Sequence, residues 1–131
     1  MIINKGRVGG EGSEQRGPTF TGSVWSDPVL RTEHGVTINT VFFPPFARTH
    51  WHRHEWGQIL LVTHGRGHAQ VRDGEGAWME PGDVVYFPPG EDHWHGAGPD
   101  GYLTHTAISL GTTEWLDEVS TADYKRSTAR P

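Results

Sequence analysis

The sequence predicts an all-β fold, a sandwich or barrel of many short strands, and three observations lead there. Glycine and proline are frequent, at 18 and 9 of 131 residues, and they interrupt the chain too often for a helical bundle. The segments between them are short and either alternate or run apolar. Six Trp in a chain that is 34% hydrophobic argue for a packed interior. The length suits one domain, with residues 20–126 as its body, 1–19 as an N-terminal arm that is partly loop, and 127–131 as a loose tail.

The elements follow in order. Met1-Ile2-Ile3 can form a short edge strand against a partner subunit, and Gly6–Gly17 reads as loop. Phe20–Trp25 alternates weakly and is predicted as a strand, with Asp27-Pro28 opening a turn. Val36–Phe43 alternates clearly, and its Thr40 and Phe42 face is expected to line a pocket. Pro44-Pro45 ends that strand. Thr49–His54 and Gln58–Thr63 come next, with Gly65-Arg66-Gly67 as the following turn. His68–Arg72 and Ala77–Glu80 flank the hairpin signal Asp73-Gly74. Asp83–Phe87, Asp92–His95 and Leu103–Leu110 complete the strands, punctuated by Pro81-Gly82 and Pro88-Pro89-Gly90. Thr113–Val119 with Thr121–Lys125 is expected to give a short C-terminal helix, capped by Thr112 or Thr113, with Trp115 and Leu116 packed inward.

Composition narrows the function. The formal charge is −5 and no Lys or Arg stripe is present, which argues against nucleic acid as a partner. The chain has no apolar run of membrane-spanning length and no signal peptide, so a soluble, cytoplasmic protein is expected, with no membrane partner. Cysteine is absent, so a metal site must draw on His, Gln, Asp or Glu. The glycine-rich Gly65-Arg66-Gly67 has neither a P-loop nor a dinucleotide fingerprint around it.

The chemistry is concentrated in His52-x-His54-x3-Gln58 and, after a turn-rich stretch, His93-x-His95. Residues two apart on a strand share a face, so His52 and His54 point one way and Trp51 and Arg53 the other. Three imidazoles and an amide can thus converge on a divalent ion and leave it near its full charge, with open positions for Lewis acid work. A lone His-x-His pair is more often surface decoration or a hydrogen-bonded core pair; the second pair after Pro88-Pro89-Gly90 shifts the balance towards metal. His105, with Leu103 and Ala107 on its face, is either a general base or a buried, hydrogen-bonded histidine. His95 can contact substrate or serve structure. His50 shares the His52 face and is either a further proton-transfer group or a rim residue. Thr40, Phe42, Leu60 and Ser109 are the candidate substrate contacts. His64 and His68 are expected to face solvent, Arg48 and Asp83 to pair, and Trp51 to be covered by a partner sheet in a homodimer or homotetramer.

These residues resemble the cupin superfamily motifs. The first is His52-x-His54-x3-Gln58-x6-Gly65 and the second Gly82-x5-Pro88-x-Gly90-x2-His93. The resemblance implies a double-stranded β-helix (jelly-roll) barrel holding one divalent metal per chain through His52, His54, Gln58 and His93. Cupins usually place Glu where Gln58 stands. Within the superfamily the chain is similar to the small single-domain group of bacterial manganese-dependent hydroxynitrile lyases. That likeness rests on Ala47-Arg48-Thr49-x-Trp51-His52-x-His54, Gly57-Gln58, Pro81-Gly82-Asp83-Val84-Val85, Pro89-Gly90-Glu91-x-His93-Trp94-His95-Gly96, Thr104-His105 and Glu114-Trp115-Leu116-x-x-Val119-Ser120. It implies manganese as the favoured metal over iron, zinc or nickel, and His105 as the base beside it. Ser109 stands where those lyases carry a glutamine, and His50 where they often carry a small residue. The leading expectation is a metal-dependent lyase acting on a small hydroxy, carbonyl or cyanohydrin-like compound. A ferrous dioxygenase and a non-catalytic small-molecule-binding protein are the alternatives.

Overall fold

The alternating segments pair into two antiparallel sheets that face each other across the core. The computed structural model describes residues 1–9, 12–129 and 131. Its strands are β1 (Glu14–Gln15), β2 (Phe20–Thr21), β3 (Trp25–Arg31), β4 (Val36–Phe43), β5 (Arg48–Thr49), β6 (His52–His54) and β7 (Gln58–Gly65). They continue as β8 (Gly67–Val71), β9 (Gly76–Met79), β10 (Val84–Phe87), β11 (His93–Ala97), β12 (Leu103–Leu110) and β13 (Thr113–Trp115), before the helix α1 (Thr121–Thr128). The first sheet has the order β1-β3-β4-β12-β7-β10. The second has β13-β6-β11-β5-β2, with β8 on β11 and β9 on β8. The all-β expectation with a short C-terminal helix holds in this two-sheet form.

The sheets bury a common apolar interior that includes Val41, Phe43, Leu60, Val62, Phe87, Leu103 and Ala107. A second cluster, Trp51, Trp94, Val119 and Tyr124, lies beneath α1. Trp51 is therefore covered by its own chain, by this cluster and by the Arg72 guanidinium 4.3 Å above its ring, and it needs no partner sheet. Two glycines matter for the path. Gly57 turns the corner before Gln58 at φ +100, where an added Cβ would sit 2.8 Å from the Phe87 carbonyl oxygen. Gly96 lets β11 cross β5, since a Cβ there would lie 2.4 Å from the Ala47 carbonyl oxygen.

Several expectations are corrected. Met1-Ile2-Ile3 forms no strand, whereas Glu14–Gln15 does, pairing with Trp25 and Ser26. The loop expected over Gly6–Gly17 includes Gly10 and Glu11, and the tail includes Arg130; these three lie outside the described residues. Asp27-Pro28 does not turn the chain. It sits inside β3, where the register against β4 shifts between Pro28 and Leu30, an irregularity that tolerates a residue with no N–H to donate. Thr113–Trp115 pairs with β6 instead of starting a helix, and α1 is capped by Ser120, whose hydroxyl accepts from the Asp123 N–H. Ser127 and Thr128 belong to α1, not to a loose tail. Arg48 donates to the Phe46 and Val119 carbonyls and does not pair with Asp83. His68 is buried against Ser127, 2.7 Å from its hydroxyl, instead of facing solvent. Among the described residues no helix is long and apolar enough to cross a membrane.

Candidate metal centre

Three neighbouring segments deliver the histidines. β6 pairs with β11 so that His52 lies opposite His93, and β7 begins at Gln58 immediately after the Gly57 corner. His52, His54, Gln58, His93, His95 and His105 are all buried. The ligand nitrogens of His52, His93 and His95 lie within 4.8 Å of one another. The rings of His52 and His93 have centroids 4.3 Å apart, and those of His52 and His54 5.0 Å. The structure therefore groups His95 with His52 and His93, while the expected donor His54 lies outside that group, its ring centroid 5.6 Å from that of His93.

Hydrogen bonds behind the rings decide what they present to the centre. His52 Nδ1 donates to the His50 carbonyl at 2.9 Å and His93 Nδ1 to the Glu91 carbonyl at 2.9 Å. A carbonyl only accepts, so the ring proton sits on Nδ1 and each Nε2 offers a lone pair. His54 Nδ1 lies 3.0 Å from the Thr113 hydroxyl, and its Nε2 is buried with no partner among the described residues. The Gln58 amide donates from Nε2 to the Ser109 hydroxyl at 3.0 Å, which turns Oε1 toward His93 Nε2, also at 3.0 Å. Gln58 also lies against His52 and His54. Two acceptors, Oε1 and an unprotonated Nε2, thus face each other at hydrogen-bond distance. A proton cannot relieve the conflict near neutrality. Burial, the chief cause, holds His93 at a pKa of about 3 and His54 at about 4, and pushes His52 well below the ordinary value. A cation between the lone pairs relieves it, so the residues present fit a divalent metal. Phe87 stacks on His93 at 3.6 Å and an interplanar angle of 7°, fixing that ring.

His95 and His105 form a second unit. His95 Nδ1 and His105 Nε2 are 3.0 Å apart, and Phe43 packs on both rings. His95 Nε2 is buried without a partner among the described residues, and burial holds His105 at a pKa of about 4. A cavity of about 250 Å³ opens on this cluster, lined by His52, His54, Gln58 and His95 together with Ser109. His105 stands behind His95 and is not part of the cavity wall.

Four expected contacts sit elsewhere. Thr40 and Phe42 lie on the outer face of β4; Phe42 is 40% exposed and stacks on Tyr102. The inner face carries Thr37, Asn39, Val41 and Phe43, which line the cavity. Apolar side chains occupy both faces of this strand, so its alternation does not choose between them. Its partner does: Val41 opposes His105, Asn39 opposes Ala107 and Thr37 opposes Ser109, and opposed residues share a face. Leu60 points inward but is wholly buried in the core, away from the cavity wall. His50 falls between β5 and β6, with its N–H bonded to the Thr19 carbonyl. The adjacent Trp51 backbone is engaged by Asp117 and Leu116, so the strand breaks and His50 leaves the His52 face. Asn39, Val41, Thr49, Phe20 and Trp115 were not foreseen as cavity residues. Knowing the β4–β12 pairing would have revealed the first two.

Comparison with known proteins agrees with this geometry. The family model described as "Cupin domain" matches residues 39–104. The chain is 42% identical over 128 residues to an (R)-mandelonitrile lyase from Granulicella tundricola, spanning 92% of this chain and 97% of that one. It is 40% identical to a cupin-like protein of Thermotoga maritima, with a TM-score of 0.84 over 90% of this chain and 97% of the other. A polyketide cyclase from Streptomyces resistomycificus shares the fold alone, at 19% identity and a TM-score of 0.69 over 87% and 84% of the two chains. The chain belongs to the cupin-domain family, close to a bacterial (R)-mandelonitrile lyase.

Proposed function

We propose that this protein is a metal-dependent lyase that cleaves a small cyanohydrin-like hydroxy compound to a carbonyl compound and cyanide. The observation that carries the reading is the buried, neutral donor cluster opening on a small cavity, in a chain 42% identical to a mandelonitrile lyase over nearly its whole length. His52, His54, Gln58 and His93 are the residues to hold the metal, and His95 the neighbour left for chemistry. Gln58 contacts the first three histidines, and each of those has its Nδ1 beside an oxygen. His95 alone has its Nδ1 beside another imidazole. The bound ion would supply Lewis acid polarisation of the substrate oxygen without adding a redox step. Manganese is favoured, and iron, zinc or nickel suit the same nitrogen and oxygen donors.

The His95–His105 pair receives the proton. His95 lines the cavity, its Nδ1 is engaged by His105 and its Nε2 has no partner among the described residues. With His95 Nδ1 donating to His105 Nε2, His95 Nε2 is free to take the hydroxyl proton. The hydroxyl oxygen becomes the carbonyl oxygen, the carbon–cyanide bond breaks, and cyanide leaves with its electron pair and takes up a proton. The depressed pKa values keep both rings neutral near pH 7, the state a base requires. Phe20, Phe43 and Trp115 form the apolar part of the cavity wall.

The formal charge of −5 favours a small molecule over nucleic acid as the partner. The two sheets are read as closing into a double-stranded β-helix barrel in the body 20–126. Exposed Leu61, Val84 and Tyr86 on and beside the edge strand β10 support a homodimer or homotetramer. The test is cyanide release from mandelonitrile under nitrogen with manganese-loaded protein. Release well above the uncatalysed rate is expected. No release under nitrogen, with turnover appearing only in oxygen and ferrous iron, would replace the lyase by a dioxygenase.

A further inference from the structure

Among the described residues, the cavity wall carries two arginines, Arg16 and Arg31, and no carboxylate. In a chain of formal charge −5 this is a local reversal of sign. The donors read above as metal ligands are neutral, so they leave the charge of any bound cation uncompensated, and the guanidiniums add to it. Such a pocket attracts and holds an anion. Arg16 has no carboxylate partner among the described residues, and its guanidinium lies 5.3 Å from the Phe20 ring centroid. Arg31 approaches Glu14 at 3.4 Å, but both side chains are more than half exposed, and such a pair is weak and easily exchanged.

A second, independent observation points to a ligand. Ser26 lines the cavity, is 3% exposed, and has a buried hydroxyl without a hydrogen-bond partner among the described residues. Register places these groups relative to the chemistry. Arg31 opposes Thr37, Thr37 opposes Ser109, and Ser109 opposes Gln58. Arg31 and Gln58 therefore stand in one cross-strand row, at two ends of the same wall. Gln15, next to Arg16, pairs with Trp25, next to Ser26. Ser26 lies in a neighbouring row, opposite Val41 and thus His105, and the Arg31 side chain reaches Glu14, the partner of Ser26, so all three groups border the one cavity.

We propose that the substrate is anionic: a small hydroxy or oxo compound whose carboxylate is held by Arg16 and Arg31, with Ser26 adding a hydrogen bond, while its reacting oxygen faces Gln58 and the histidines. This rests on the lyase reading for the reacting end only. Two charge-assisted contacts distinguish an acid from its neutral counterpart by about tenfold or more in affinity.

The test is calorimetric binding of 4-formylbenzoate and of benzaldehyde to manganese-loaded protein, at low and at high salt. The acid is expected to bind about tenfold more tightly, with the ratio narrowing in high salt and approaching one in the Arg16→Gln/Arg31→Gln double variant. Equal affinity in the wild-type protein, or a ratio unchanged in the double variant, would overturn the proposal. Mandelonitrile cleavage without any preference for the acid overturns the anionic substrate and leaves the lyase standing. Preference for the acid without cyanide release from any cyanohydrin does the reverse.

Discussion

At the scale of single residues, the site is determined less by the histidines than by what holds their far nitrogens. The spacing His52-x-His54 and His93-x-His95 made the donors legible in the sequence, because strand alternation alone puts each pair on one face. The carbonyls of His50 and Glu91, which fix the tautomers, left no signal there, since backbone acceptors carry no residue code. Ser109 is a related case. Expected as a substrate contact, it does line the cavity, but its hydroxyl also orients the Gln58 amide. Ser109→Ala is expected to weaken metal retention by about 10-fold to 100-fold, read by competition with a chelator, with the fold unchanged by circular dichroism. Retention equal to wild type would show that Gln58 needs no such support. His105→Ala is expected to lower kcat by about 10² to 10⁴ with metal content retained; loss of metal along with activity would make His105 a support of the centre instead of part of the proton path.

At the scale of elements, the long central strands were readable to the residue and the short strands β8 to β11 to within a residue or two, while β1 and β13 were missed. Val36–Phe43 and Leu103–Leu110 match the observed β4 and β12 to the residue, because their flanks are turn-forming and their apolar content is high. The failures come from tertiary pairing that overrides local signals. Asp27-Pro28 looks like a turn, but β1 and β4 pair on either side of β3 and hold it extended. Thr113–Trp115 looks like a helix start, but His52–His54 offers it a ladder. Helix α1 then docks through Tyr124, which is buried and donates from its hydroxyl to the Ala97 carbonyl at 2.8 Å. Tyr124→Phe is expected to cost about 1–2 kcal/mol of stability while leaving metal content and cyanide release intact, because the contact lies outside the cavity. Chemical denaturation and metal analysis of one preparation check both parts; a loss of metal in a folded variant would contradict the separation.

At the scale of the whole molecule, a small domain has placed many neutral histidines in its interior, and that ties its stability to pH. Burial lowers His54, His68 and His105 to about 4 and His93 to about 3, with His52 and His95 depressed as well. In the unfolded chain the same groups titrate near 6.5. Below that value the unfolded state binds more protons than the folded one, so stability is fully present above pH 6.5 and is lost as pH falls towards 4. Each histidine contributes up to about 1.4 kcal/mol per pH unit across that window. The denaturation midpoint of metal-free protein is thus expected to drop steeply between pH 7 and pH 5, and His68→Gln, remote from the donors, to make the drop shallower. A midpoint that stays level over this range would mean that the rings are more hydrated than their burial indicates.

The most direct measurement is elemental analysis of protein purified without added metal, for the wild type and for His52→Ala and His93→Ala, set beside cyanide release from the same samples. The expected result is close to one divalent ion per chain in the wild type, near none in either variant, and activity that follows the metal. Wild-type protein that turns over fully while carrying no metal would contradict it.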